Sequence, residues 1–100
     1  MLHGAMVNAG ATIGKGCIIN TLANIEHDVI IGDYCHISTG AMVNGDCRVG
    51  KNTFLGSQSV MVNDTSIPSN SVFAAGCLVR KSLTIEGLYA GNPAVLIKKA

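Results

Sequence analysis

Residues 13–30 read Ile13-Gly14-Lys15-Gly16-Cys17-Ile18, Ile19-Asn20-Thr21-Leu22-Ala23-Asn24, Ile25-Glu26-His27-Asp28-Val29-Ile30. Each six-residue unit opens on an aliphatic residue and carries a compact one at its fifth position. Stepping outward by six, the first position runs Met1, Val7, Ile13, Ile19, Ile25, Ile31, Ile37, Val43, Val49, Leu55, Met61, Ile67, Phe73, Val79, all large and apolar. The fifth runs Ala5, Ala11, Cys17, Ala23, Val29, Cys35, Ala41, Cys47, Thr53, Ser59, Thr65, Ser71, Cys77. The other positions are mixed and mostly polar. A second period lies above the first: Ile13-Gly14, Ile31-Gly32, Val49-Gly50 and Ile67-Pro68 open every third unit.

Six residues are too few for a helix and a turn but suit one short strand and one corner. Three such sides close a triangular coil, and coils stack at the parallel-strand spacing of about 4.8 Å. The coils expected are 13–30, 31–48, 49–66 and 67–84, with residues 1–12 supplying part of an earlier one. The aliphatic column fills the prism, the compact column sits where walls converge, and Gly, Asn and Asp take the corners. The fold class is all-β, a parallel β-helix over 1–84. Residues 85–100 break the register and form a C-terminal tail that caps the last coil or closes over a ligand.

Composition agrees. The chain has 100 residues, 48% apolar and 13% charged, with no Trp, two Phe and two Tyr, so its core is narrow and made of small pieces. A net charge of +1 leaves no electrostatic case for nucleic acid or an anionic membrane surface. No apolar run reaches the roughly 18 residues a membrane helix needs. The first residues lack the pattern of a secretion signal, and a cytoplasmic location is expected. The four cysteines, Cys17, Cys35, Cys47 and Cys77, form no CxxC pair and all fall in the compact column, where a thiol acts as a small apolar filler. No metal is expected.

One stretch points beyond the fold: Asn20-Thr21, Ile25-Glu26-His27-Asp28, Ile31-Gly32-Asp33 and His36-Ile37. With the hexapeptide repeat and the Gly91-Asn92-Pro93-Ala94 ending, it resembles the sialic acid O-acetyltransferase family of hexapeptide-repeat acyltransferases. That family includes the N-acetyltransferases of nucleotide-linked amino sugars. The resemblance implies a left-handed helix, a homotrimer, acetyl-CoA as co-substrate, and a sugar hydroxyl or amine as acceptor. The family's N-terminal nucleotide-sugar-binding domain is not in this chain.

His27 is the third residue of its unit and should point outward near a corner. A neutral imidazole suits proton removal from an acceptor attacking a thioester. Glu26 and Asp28 flank it and could orient the ring. Gly45 takes the same corner one coil on, where its amide could stabilise an oxyanion. The resemblance assigns His27 the general-base role and carries Gly45 with it. It places His36, Gly45, Ser57, Ala75 and Gly76 along the acetyl-CoA arm, and Asn20 and Glu26 at the acceptor. Lys81 or Arg80 could meet CoA phosphates, and His3 has no motif. A zinc hydratase of the same architecture would need three converging His ligands, and its His-x4-His pair is absent. A non-catalytic β-helix trimer used for assembly is the alternative function.

Overall fold

A computed structural model describes the whole chain, Met1–Ala100. It contains no helix, and its strands are two residues long until the tail. The strands stack into three walls. Wall A holds Met6–Val7, Asn24–Ile25, Met42–Val43, Val60–Met61 and Leu78–Val79; wall B holds Thr12–Ile13, Ile30–Ile31, Arg48–Val49 and Ser66–Ile67; wall C begins with Ile18–Ile19, His36–Ile37, Phe54–Leu55 and Val72–Phe73. Along the prism every pairing is parallel and joins like positions of successive coils, such as Ile25↔Val43 and Ile31↔Val49. Backbone bonds run along the stack axis, as from Glu26 N–H to Val43 O (2.9 Å) and Ser38 N–H to Leu55 O (2.9 Å). The molecule measures 32 × 21 × 21 Å.

The inward columns are those read from the repeat. Ile25, Ile37, Val43, Leu55, Met61, Phe73 and Val79 are fully buried, as are Ala23, Val29 and Cys47 from the compact column. Met1, although in the aliphatic column, is 72% exposed, and Val7 and Ile13 are only partly covered. The first coil has a neighbour on one side only, so its inward residues are capped by nothing in the prism.

The fourth position of every unit up to Gly76 is left-handed, with φ between 54° and 75°. The repeat predicts Gly, Asn and Asp at the corners; Leu22, Tyr34 and Gln58 adopt the same conformation. The cause is the ladder. The amide of each reaches the corner carbonyl of the preceding coil: Leu22 to His3 (3.1 Å), Tyr34 to Lys15 (2.9 Å), Gln58 to Thr39 (2.9 Å). A left-handed L-residue costs roughly 1–2 kcal/mol, and these hydrogen bonds and the packed coils on either side hold it there.

After Val79 the regular coil ends. Gly87–Ala90 nonetheless joins wall C, with Val72 opposite Leu88 and Phe73 opposite Tyr89, a coil shortened by two positions. Tyr89 is buried and stacks on Phe73, ring centroids 4.6 Å apart. Val95–Lys99 then folds back antiparallel on Gly87–Ala90. No helix is long and apolar enough to cross a membrane.

Candidate active site

Walls A and B meet at an edge formed by residues 9–10, 27–28, 45–46 and 63–64; walls B and C meet at 15–16, 33–34, 51–52 and 69–70; walls C and A meet at 21–22, 39–40, 57–58 and 75–76. These edges, AB, BC and CA, locate every candidate residue.

His27 stands on edge AB, its side chain 57% exposed. Its Nδ1 lies 3.3 Å from Asp28 Oδ2. The ring sits against Gly45 of the next coil: a Cβ at Gly45 would come within 2.5 Å of Nε2 and 2.6 Å of Cε1. Gly45 is buried beneath it, its φ is not in the left-handed region, and its amide makes no hydrogen bond within the chain. The coils are tied here by Asp46 N–H donating to His27 O (3.1 Å). His27, Asp28 and Asp46 each bring one nitrogen or oxygen to within 4.8 Å of the others. The sequence motif does not single out Asp46. It is Asp28 moved on by one coil, and that spacing is the signal that could have found it. All three residues are exposed, so the cluster is an imidazole flanked by carboxylates rather than an enclosed ligand set.

Glu26 does not face the imidazole. Its carboxylate on wall A accepts from Asn8 Nδ2 (3.0 Å) and Asn24 Nδ2 (2.7 Å), so of the two acidic neighbours only Asp28 contacts the ring.

His36 lies on wall C, opposite edge AB. The side-chain oxygen of Asn20 accepts from Thr21 N–H (2.7 Å), which turns the Asn20 amide nitrogen toward His36 Nε2 (3.1 Å). With Nε2 accepting, neutral His36 carries its proton on Nδ1. Its ring packs edge-on against Phe54, centroids 5.1 Å apart. Asn20 is thus joined to His36 rather than to the His27 edge. Ser57, Ala75 and Gly76 line edge CA: Ser57 Oγ lies 2.9 Å from Ser38 Oγ, and Gly76 N–H donates to Ser57 O (2.8 Å). Arg80 and Lys81 are exposed near the C-terminal end, and His3 is an exposed residue of the first coil. A single chain therefore brings together His27, Asp28, Asp46 and Gly45 on one edge, and Asn20 with His36 on wall C, beside the Ser57–Gly76 edge.

The cysteines are free thiols. Burial pushes the Cys35 and Cys77 thiols above their ordinary value, against hydrogen bonds that act in the opposite direction. Their burial and raised pKa make them poor nucleophiles.

Residues 10–45 match the family model described as bacterial transferase hexapeptide (six repeats), and residues 47–81 match that of the hexapeptide repeat of succinyl-transferase. Among solved structures, the acetyltransferase domain of PglB from Neisseria gonorrhoeae FA1090 is 31% identical with a TM-score of 0.92, covering 94% of this chain and 46% of that one. PerB from Caulobacter crescentus, solved with CoA and GDP-perosamine, is 32% identical with a TM-score of 0.92, covering 95% and 46%. The PglB domain solved with acetyl coenzyme A matches at 26% identity and a TM-score of 0.82, covering 94% and 55%. The chain spans about half the length of these structures, and the fold it shares with them is the left-handed parallel β-helix. Residues 10–45 and 47–81 are thus hexapeptide repeats similar to those of bacterial transferases.

Proposed function

We propose that the chain is the β-helical part of a homotrimeric, acetyl-CoA-dependent acetyltransferase that acts on a hydroxyl or amine of a nucleotide-linked sugar. The observation that carries this reading is the His27 imidazole on edge AB, contacted by Asp28 and lying against the amide-bearing Gly45. The similar sugar acetyltransferases solved with CoA and GDP-perosamine support the substrate class.

The chemistry is direct transfer. With Nδ1–H donating to Asp28, Nε2 is the basic nitrogen and takes the proton from the attacking hydroxyl or amine. The acceptor's oxygen or nitrogen bonds to the thioester carbonyl carbon, and the Gly45 amide is free to donate to the oxyanion that forms. Collapse breaks the C–S bond, and the imidazolium returns the proton to the departing CoA thiolate. No acyl-cysteine is involved: Cys35, Cys47 and Cys77 are buried and Cys17 sits in the same inward column. Free buried thiols also suit the reducing cytoplasm. No step calls on a metal.

The test is acetyl transfer from acetyl-CoA to a nucleotide-linked amino sugar, wild type against His27→Ala. Transfer that depends on His27 supports the reading. Acetyl-CoA binding without turnover on any sugar would favour a non-catalytic assembly.

A further inference from the structure

Resting on the acetyl-transfer reading, the geometry points to Asn20 as a positioning residue: it fixes His36 as the Nδ1–H tautomer, and that N–H donates to a carbonyl oxygen of the acetyl-CoA arm. His27 and His36 then have opposite tasks. His27 takes a proton, and His36 gives a hydrogen bond.

The Thr21 N–H can only donate, so the atom of the Asn20 amide that lies 2.7 Å from it is the oxygen. The amide nitrogen therefore faces His36, 3.1 Å from Nε2. That nitrogen also can only donate. Nε2 accordingly offers its lone pair, and the proton of the neutral ring sits on Nδ1. The flipped amide would set N–H against the Thr21 N–H, which rules out the other orientation.

Both ends of this relay are held by the ladder. Asn20 N–H donates to Ile37 O (2.9 Å), and Asn20 O accepts from Ala23 N–H (3.1 Å). His36 N–H donates to Thr53 O (3.0 Å). The direct partner of His36 in the preceding coil is Ile18, so Asn20 reaches the ring diagonally. In the following coil the direct partner is Phe54, which packs edge-on at an interplanar angle of 77°. The imidazole is thus held between an amide on one side and an aromatic ring on the other. Its Nε2 is occupied, so it is not a second base, while Nδ1 makes no hydrogen bond within the chain.

A donor fixed in this way suits an uncharged ligand. Over its parallel strands, wall C is the one wall with no Asp, Glu, Lys or Arg in its outward columns. The thioester and amide groups of the CoA arm are uncharged too, and their carbonyl oxygens accept N–H. The hydroxyls of Ser38 and Ser57, toward edge CA, are engaged with each other (2.9 Å). Asn20 has no side-chain contact with edge AB, where the sugar loses its proton, so its side chain acts on the acetyl donor and not on the sugar.

Nitrogen-15 NMR of the imidazoles, calorimetric titration with acetyl-CoA and steady-state turnover of the full chain test this. The chain has three histidines, His3, His27 and His36, so a His36→Gln variant assigns the resonances. In the neutral ring of the ligand-free wild type, His36 is expected as the Nδ1–H tautomer, and in Asn20→Ala as a mixture of both. A side chain that merely supported the fold would leave the tautomer unmoved. Asn20→Ala should weaken acetyl-CoA binding about 10-fold, the worth of one hydrogen bond, with kcat at saturating acetyl-CoA changed by no more than about 2-fold and the KM for the sugar unchanged. In a His36→Ala background, Asn20→Ala should cost no further affinity. An Nε2–H tautomer in the wild type, unchanged acetyl-CoA affinity in Asn20→Ala, a rise in the sugar KM alone, or an additive loss in the double variant overturns the inference. If the wild type binds no acetyl-CoA, the acetyl-transfer reading fails and takes the hydrogen bond to the CoA arm with it. The tautomer of the ligand-free chain still decides whether Asn20 positions the ring.

Discussion

The hydroxyl of Thr53, fully buried, donates to the carbonyl of Pro68 at 2.7 Å. The same donor recurs along the compact column, reaching the same place in the next coil: Cys35 Sγ to Gly50 O (3.0 Å), Cys47 Sγ to Val62 O (3.1 Å), Ser59 Oγ to Ala74 O (3.1 Å). The column therefore both fills the convergence of the walls and ties each coil to a carbonyl of the next. Thr53→Val keeps the volume and removes the donor, leaving the part-buried Pro68 carbonyl with one partner fewer. It should cost about 1–3 kcal/mol of unfolding free energy, while Thr53→Ser retains most of the bond. Urea denaturation of the two variants checks this.

Burial raises the Cys35 and Cys77 thiols above their ordinary value of 9.0, so the folded state resists forming the thiolate. The sign follows from linkage. A folded-state pKa above the unfolded one gives stability that is complete below the unfolded value and lost as pH rises through the folded value. The wild type should lose stability above about pH 9 more steeply than Cys35→Ala or Cys77→Ala. Urea midpoints taken from about pH 7 to 10 measure the difference in slope, and parallel curves would contradict it.

Gly32 and Gly76 separate two reasons for glycine. At Gly32, φ is ordinary, but a Cβ would meet the Lys51 backbone nitrogen at 2.7 Å. The coils would have to part, so Gly32→Ala should cost on the order of 3 kcal/mol or more. At Gly76, φ is +72° and nothing lies within 4 Å. Gly76→Ala meets only the backbone preference, roughly 1 kcal/mol. Thermal unfolding should rank Gly32→Ala well below Gly76→Ala.

The coil, its three walls and the inward columns were legible because a side chain that must point inward every sixth residue leaves its chemistry in the sequence. The hydrogen-bonding role of Cys35, Thr53 and Ser59 was not, because as small residues they satisfy the packing rule either way. Leu22, Tyr34 and Gln58 hid three corners: their left-handed backbone is imposed by the neighbouring coil and leaves no mark on residue type. Gly87–Ala90 rejoins wall C two positions early, outside the period that revealed the rest. At the site, Asp46 is one coil from Asp28 and could have been found by the same arithmetic. The engagement of Glu26 with Asn8 and Asn24 depends on rotamers, which spacing does not determine.

Gly45→Ala tests the contact between coils at His27. The backbone there tolerates an L-residue, but the new methyl would lie 2.5 Å from Nε2. The exposed ring yields by swinging away, so the fold survives and the imidazole is displaced by about an ångström or more. Misplacement on that scale can lower turnover about 100-fold. Circular dichroism should be unchanged while kcat falls. Unchanged kcat would mean that the ring's position against Gly45 is irrelevant to transfer.

His27→Ala is the sharpest comparison. The side chain is exposed, away from both inward columns, and its one side-chain partner is the exposed Asp28. Removing it should change unfolding free energy by no more than about 0.5 kcal/mol. Loss of a positioned general base should lower kcat by roughly 10²–10⁴-fold. Acetyl-CoA affinity should change little, because the donor groups proposed on wall C and edge CA are untouched. His36→Ala should do the reverse: it removes the partner of Asn20 and the edge contact with Phe54, and it should weaken acetyl-CoA binding more than it slows transfer at saturating donor. Titration calorimetry with CoA and steady-state turnover on both variants separate the two roles. Wild-type turnover by His27→Ala would remove it from the chemistry, and loss of the folded prism in that variant would make it a structural residue.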